Sequence, residues 1–544
     1  MAQLLDHTGA PLIRADAPVK VPGSSRYTSG YMRGGRSVAL AAWQPALREA
    51  QDDIAAAWEK AAARANDAII NSGWLSGAIE QCVANTVGTG LRLKAQPEND
   101  LFGMSNKAAQ GWSKMVEQRF ELWSTNPPEC DLQAQRSLGQ MQAAAFRGWI
   151  GTGEILSATV WRPGRTGCQY GTKVQVLPAY RLARETNAMQ HLFTGVFVNA
   201  DDMPVAYRIR RRTAYGTWDA VDVRARDSLG RRLVGHFFDA PLGAHRGIGP
   251  LAPVLQVIRQ FDDMSDATLS AMVLKTLFAA TVESDLPTAE VLQGLLGEAE
   301  MARIQREAIT GGGETPLEAW MDMAMGFHEG SQIDVGRSGR VAHLMPGEKL
   351  TLQSVQAPGS DYKDFSADLK REMARALGMT YESFTGDYNG ATYNSMSYGT
   401  TEIFEVTKAR RANIVAPFCQ MAYEAWLEEE ILERGMEFPG GPEAFLANRA
   451  AASRALWIGA PKPLADMLKA AKAFETLDRM GVLPQRAVAE AWGMDIEDVY
   501  HARQQEAEMR RTYQLPEPAH MGAQGGAPKP QGDNQDDEDE ADGA

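Results

Sequence analysis

The chain has 544 residues, enough for three or four units of ordinary size and too many for one small disulfide-stapled module. Its 44% hydrophobic, 23% charged and 8% aromatic residues exclude a fibrous or wholly disordered protein. Lysines and arginines number 55 against 69 aspartates and glutamates, and the net charge of −14 excludes a protein that coats DNA by tight, nonspecific phosphate contacts.

Residues 1–40 are rich in Gly, Ser, Pro and Arg and are expected to be a flexible, mildly basic arm, either untethered or bound to a partner. They lack the basic-then-apolar pattern of a secretory signal, and no window approaches the ~18 consecutive apolar residues of a membrane helix. From Trp43 to Val87 the spacing of Trp43, Leu47, Ile54 and Trp58 predicts helix, broken at Gly88-Thr89-Gly90. Further helices are predicted over 105–124, stopped by Asn126-Pro127-Pro128, and over 137–150. Between 154 and 240, short β-branched or aromatic runs separated by Gly, Asp, Asn and Pro predict a twisted antiparallel sheet. Residues 220–232 read as a hairpin tip or loop, and Asp201-Asp202-Met203-Pro204 as a turn.

A long helix is expected over 251–283, with Leu251, Val254, Leu255, Ile258, Phe261, Leu269, Met272, Val273 and Leu277 as its apolar stripe. Residues 284–340 change character and read as a compact insertion ahead of a second helix over 361–378. That helix carries Lys363, Lys370, Arg371 and Arg375 away from its apolar positions. Residues 379–396, rich in Gly, Asn, Thr and Tyr, read as a long loop. A third long helix, 397–435, must bend near Asn413, because the Pro417 ring clashes with the carbonyl four residues back. Two or three helices follow Pro463, which suits a first helical position, and the tail from 513 closes with seven acidic residues between Asp533 and Asp542.

Chemistry-bearing motifs are missing. There is no Walker loop, no H-E-x-x-H and no G-x-S-x-G elbow; Gly347-Glu348-Lys349-Leu350 lacks the spacing and hydroxyl of a phosphate cradle. The eight histidines are scattered singly, and the four cysteines (Cys82, Cys130, Cys168, Cys419) are far apart, as suits small buried residues in a reducing compartment. Asp201-Asp202 and Asp262-Asp263 have no third carboxylate spaced to complete a magnesium site. No catalytic, cofactor or metal residue is therefore assigned.

Four blocks in order resemble the lambda-type portal proteins of tailed bacteriophages. They are RANDAIINSGWLSGAIEQCVANTVGTGLRLKAQPE from Arg64, FRGWIGTGEILSATVWRP from Phe146, HRGIGPLAPVLQVIRQFDDMSDATLSAM from His245, and LMPGEKLTLQSVQAPGSDYKDFSADLKREMARALGMTYESFTGDY from Leu344. Where the family tends to have N-Y-S-S-x-R after the T-G-D turn, this chain has Ala391-Thr392-Tyr393-Asn394-Ser395-Met396, without the arginine.

The resemblance, covering most of 40–512, implies an α+β, mostly α-helical portal fold whose copies, usually twelve, form a ring with an axial DNA channel. It implies a wing over 41–250 containing the antiparallel β region, stem helices in 251–283 and 341–378, and a clip over 284–340. It also implies a channel-facing loop over 379–396, a kinked wing helix and connection over 397–462, and a crown over 463–512. The implied role is packaging and ejection of double-stranded DNA, without sequence specificity, at one capsid vertex. Expected partners are the terminase large subunit, the major capsid and scaffold proteins, and head-completion or tail adaptors. No membrane and no cofactor is involved, and assembly in the host bacterial cytoplasm precedes residence in the virion. Asp387, Tyr388, Asn389, Tyr393 and Asn394 are the expected channel-loop residues, with Lys363, Lys370, Arg371 and Arg375 as DNA or intersubunit contacts. The competing reading, a phage-derived metal-dependent nuclease or other hydrolase, needs a clustered site that the sequence does not contain.

Overall fold

The computed structural model describes residues 47–277, 360–463 and 467–515, together with short pieces between 281 and 351. The arm at 1–40, most of the 284–340 insertion and the acidic tail lie outside the described residues. The described residues form two compact units: those within 47–83, 144–158 and 176–395 make the first, and those within 84–143, 159–175 and 396–515 the second.

The first unit opens with helix Ala50–Asn71 and most of helix Gly73–Thr86. Ile54, Trp58, Ala62 and Ala65 of the former are buried, four or three residues apart as one helical face requires. The expected single helix is thus two, separated at Ser72, whose backbone is extended. A four-stranded antiparallel meander runs Leu192–Phe193, Val196–Val198, Pro204–Arg212 and Trp218–Arg224. The expected turn at 201–203 is present, with Asp202 at φ 58. The expected loop over 220–232 begins later, because Trp218–Arg224 alternates side chains as a strand and pairs fully with Ala206–Arg212. Glu154–Ala158 pairs antiparallel with Val234–Phe238.

The long helix predicted from 251 is a short 3-10 turn, Ala252–Val254, followed by helix Leu255–Leu277. It does not reach 283: Thr281–Ser284 is a strand paired with Glu348–Thr351. Its stripe is also buried only in part. Val254, Val257, Ile258 and Phe261 are covered, whereas Leu269 and Val273 are exposed. A second pair joins Gln332–Asp334 with Arg340–Ala342, at the end of the insertion. Helix Ser360–Leu377 follows and packs against Leu255–Leu277.

A buried ion pair fastens this unit. Arg246 donates to both carboxylate oxygens of Glu154, at 2.6 and 2.9 Å, and also to the Thr194 carbonyl at 3.0 Å. The Gly247 amide donates to Glu154 at 2.9 Å, and the Trp58 ring lies 4.5 Å from the Arg246 guanidinium. Burial works against the Glu154 charge, yet Arg246 and His236 hold its carboxyl below the ordinary range. The neighbouring glycines permit this closeness. A Cβ on Gly153, itself at φ 83, would sit 2.2 Å from the Ile248 carbonyl carbon, and one on Gly247 would sit 2.3 Å from the Gly153 oxygen.

The second unit is built on helices Asn106–Thr125 and Ala416–Leu432. Phe120, Trp123, Tyr423, Trp426 and Trp457 form one aromatic cluster, with Phe120 5.2–6.0 Å from each of the other rings. Edge-to-face contacts predominate, as the ring quadrupoles favour. Beside them Glu429 accepts from the Gly171 and Thr172 amides at 2.7 and 2.8 Å. Glu430 accepts from the Tyr170 hydroxyl and from Arg119. These carboxylates are buried but bonded, which is the condition for leaving charge in an interior.

Where a bend is expected near Asn413, the winding changes: helix Tyr393–Arg410 passes through a π turn at Arg411–Val415 into Ala416–Leu432. Pro417 cannot donate to the preceding carbonyls, so a wider turn at this point is a standard accommodation. Arg411 donates to the carbonyls of Asn85, Thr86 and Ala460, capping the end of helix Gly73–Thr86. Asn126-Pro127-Pro128 ends helix Asn106–Thr125 as expected and then starts another, Pro127–Cys130. Three helices follow Pro463, described as Met467–Arg479, Gln485–Ala491 and Ile496–Tyr513; Pro463 itself lies before the first described turn.

Lys94, on strand Arg92–Ala95, bonds Asp495 at 2.8 Å and Glu497 at 3.2 Å, with Glu117 at 3.8 Å. Burial pushes the Glu117 carboxyl up to about 7, against the opposing pull of Lys94 and the Ala95 amide. A group raised in the folded state takes up protons on folding, so its stabilising effect is full below the unfolded value and is lost as pH rises through 7. The urea midpoint should therefore fall between about pH 4.5 and 7, and Glu117→Gln should flatten that slope. Replacing Arg246 with Ala strands Glu154 in the core and should cost about 3–5 kcal/mol by denaturant unfolding. The double variant Glu154→Gln/Arg246→Met should cost less than Arg246→Ala alone.

Candidate functional site

The segment singled out by the sequence lies between two helices and is more ordered than expected. Helix Ser360–Leu377 buries Leu369, Met373, Ala374 and Leu377. It ends where Gly378, at φ 70, turns left-handed: the Gly378 amide donates to Arg375 and the Met379 amide to Ala374. This is the paired bond of a Schellman cap, which a glycine makes at least cost. Thr380 then caps a short helix, Tyr381–Thr385, closed by Gly386 at φ 69. Within it Phe384 is buried and stacks on Trp74.

The expected loop over 379–396 is consequently reduced to 386–392, since its first part is helical and Tyr393 already begins helix Tyr393–Arg410. The local reason is a reciprocal cap. The Ser395 amide donates to the Thr392 hydroxyl at 3.3 Å, and the Thr392 amide donates to the Ser395 hydroxyl at 3.0 Å.

Asp387, Tyr388, Asn389, Tyr393 and Asn394 are all exposed, and the first three share one turn. Asp387 is occupied locally, accepting from the Asn389 amide at 3.1 Å, while the Ala391 amide closes the turn onto the Tyr388 carbonyl. Tyr388 and Tyr393 present their rings at 52% and 49% exposure. The turn thus spends Asp387 on its own backbone and leaves the Tyr388 ring exposed, with the Tyr393 ring exposed at the start of the next helix.

The four basic residues are not equivalent. Lys363 and Arg375 are exposed. Lys370 lies half-buried, its ammonium 4.4 Å from the Trp74 ring and 5.5 Å from that of Phe261, and burial lowers its pKa. Arg371 bonds Asp368 at 2.6 Å and lies 4.9 Å from the Tyr381 ring. Both are engaged within their own chain, a cation–π role that spacing along one helix does not reveal. Trp74 was the available signal, but it lies almost 300 residues away in sequence.

Among the described residues no group of three or more His, Cys, Asp or Glu side chains is placed to hold a metal, and no helix is long and apolar enough to cross a membrane. The free cysteines Cys82, Cys130 and Cys419 are buried, as expected for small core residues; Cys168 is half-buried. Phe384→Ala should cost about 3 kcal/mol in denaturant unfolding. Tyr388→Ala, at an exposed turn, should change it by no more than about 0.5 kcal/mol.

Comparison with known proteins gives one family. The model of the lambda-family phage portal protein matches residues 36–411. Portal protein B of Escherichia phage lambda is 24% identical over 514 residues, spanning 92% of this chain and 93% of its own. The portal protein of Escherichia phage N15 is 25% identical over 512 residues, spanning 92% and 94%. Among solved structures, the neck of an empty gene transfer agent particle computed with C6 symmetry aligns at TM-score 0.43 and 14% identity, covering 78% of this chain and 91% of that one. A chain of the native gene transfer agent virion aligns at TM-score 0.42 and 13% identity, covering 82% and 99%.

Proposed function

Since the chain belongs to the lambda family of phage portal proteins, we propose that its copies close into a ring, most simply of twelve, through whose axis double-stranded DNA is packaged and later ejected. The observation carrying this reading is the family match across 36–411, joined to relatives that span nine-tenths of the chain. The geometry adds two supports. Leu269, Val273 and Phe365 leave apolar side chains exposed on the two packed helices Leu255–Leu277 and Ser360–Leu377, as an interface between copies requires. The turn at 386–392 offers aromatic rings and backbone rather than a cluster of free cations, so it can touch DNA without gripping it.

Charge favours a conduit over a binder. Each copy carries −14, so a ring repels the duplex and lets it move without sequence readout. In this reading the channel contacts come from Tyr388, Asn389, Tyr393 and Asn394, with Asp387 shaping the turn. Lys363 and Arg375, both exposed, supply occasional phosphate or intersubunit contacts, while the Lys370 and Arg371 cations lie against rings of their own chain. The family is structural, and no catalytic role is assigned to any residue. The terminase large subunit, the capsid and scaffold proteins, and head-completion or tail adaptors are the partners this role calls for. Assembly takes place in the host bacterial cytoplasm, and the ring then resides at the portal vertex of the virion.

Light scattering with negative-stain averaging should give rings with a central hole at about 712 kDa, twelve copies of the 59.3 kDa chain; a compact monomer under all salt conditions would reject the ring. Tyr388→Ala/Tyr393→Ala should leave ring mass unchanged and lower the amount of DNA packaged. Equal packaging by that variant would remove the turn from the channel.

A further inference from the structure

The meander at 192–224 has two unlike faces. Tyr207, Ile209, Val223 and Ala225 pack with Val196 on its core side. The register pairs Arg208 with Asp222, Arg210 with Ala220, Arg212 with Trp218 and Ala206 with Arg224. Paired residues share a face and successive residues alternate, so four arginines and a tryptophan gather on the opposite side. Arg208 is already held there by Asp222 at 2.8 Å and Glu185 at 2.7 Å. Trp218 is 47% exposed and lies under two guanidiniums, Arg181 at 5.4 Å and Arg210 at 5.2 Å from its ring. Among the described residues no carboxylate lies within ion-pair distance of Arg210, Arg212 or Arg224.

This cationic face belongs to a chain whose net charge is −14, and the same chain carries its chemical complement. Asp533, Asp536, Asp537, Glu538, Asp539, Glu540 and Asp542 form a run with no lysine or arginine after Lys529. The stretch 516–532 separates this run from the last described residue, Leu515. The arginines already bonded on this hairpin are bonded to carboxylates, whose geometry the guanidinium fork matches. Asp222 stands among them on the same face, and a duplex with its continuous phosphates would meet it as repulsion; a peptide can set its acids to either side of it.

We propose that this arginine face docks the acidic run Asp533–Asp542 of a second copy of the chain. The inference does not rest on ring closure or on DNA passage.

The test uses the full-length chain with the seven acids changed to Asn or Gln, and a fluorescent synthetic peptide of residues 531–544 read by anisotropy at low salt. The peptide should bind, weaken as salt rises, and lose about tenfold or more in affinity when Arg210, Arg212 and Arg224 become Gln. If that triple variant does not fold, Arg212→Gln alone, at an exposed position, should lose about threefold. The wild-type chain, isolated as a monomer and held at nanomolar concentration, should bind the peptide as well as the neutralised chain does, because its own run is then without a neighbour. Absence of binding, or binding indifferent to the arginines, would overturn the proposal. So would a dilute wild-type chain that refuses the peptide, which would place the run on its own copy. A 30-base-pair duplex that binds more tightly through the same arginines and expels the peptide would make the face a nucleic-acid surface instead.

Discussion

The bidentate pair of Glu154 and Arg246 is the contact on which the first unit turns. It joins the start of a strand at 154 to the loop before the helices at 252–277, and the guanidinium also binds the 194 carbonyl and covers Trp58. A buried pair of this kind contributes little net stability over an apolar replacement, but leaving either partner alone is costly. Its value lies in register: only one arrangement of the two segments satisfies both charges and lets Gly153 and Gly247 meet backbone to backbone. Two of the sequence blocks that resemble portal proteins, from Phe146 and from His245, are these two segments.

That relation explains what could be read from the sequence and what could not. Periodicity located helices such as Asn106–Thr125 and Ser360–Leu377 within a residue or two, because burial of one face dictates spacing directly. The disturbance of the helix ahead of Pro417 was legible because proline has a single, local consequence. Errors arose where a boundary depends on distant partners. Thr281–Ser284 reads as helix until Glu348–Thr351 is available to pair with it, and Trp218–Arg224 reads as loop because its polar face is solvent-exposed. Helix Leu138–Thr152 ends in a turn at Gly153, whose close partner near 248 is invisible to any local pattern.

The candidate site shows the same division. Turn residues at 386–392 were evident from composition, and their exposure followed. The shortening of the loop came from two hydroxyls, Thr392 and Ser395, capping one another across a helix start. Lys370 looked like a surface cation because its helix offers it a polar neighbourhood; only the arrival of Trp74 and Phe261 turns it inward. Function came mostly from ordered blocks of resemblance, and the physics of the residues then ranked which of them are available for contact.

The π turn at Arg411–Val415 sets the phase of everything after it. One helical residue corresponds to a rotation near 100°, and a π turn inserts extra chain without breaking the column of hydrogen bonds. Downstream, Glu429 and Glu430 must face the 170–172 segment while Tyr423 and Trp426 face Phe120. The widened turn therefore works as an angular spacer within the second unit, so that the faces downstream arrive aligned with its core. Loss of a single residue there would leave every individual helix intact and turn the carboxylates and the aromatics away from their partners together.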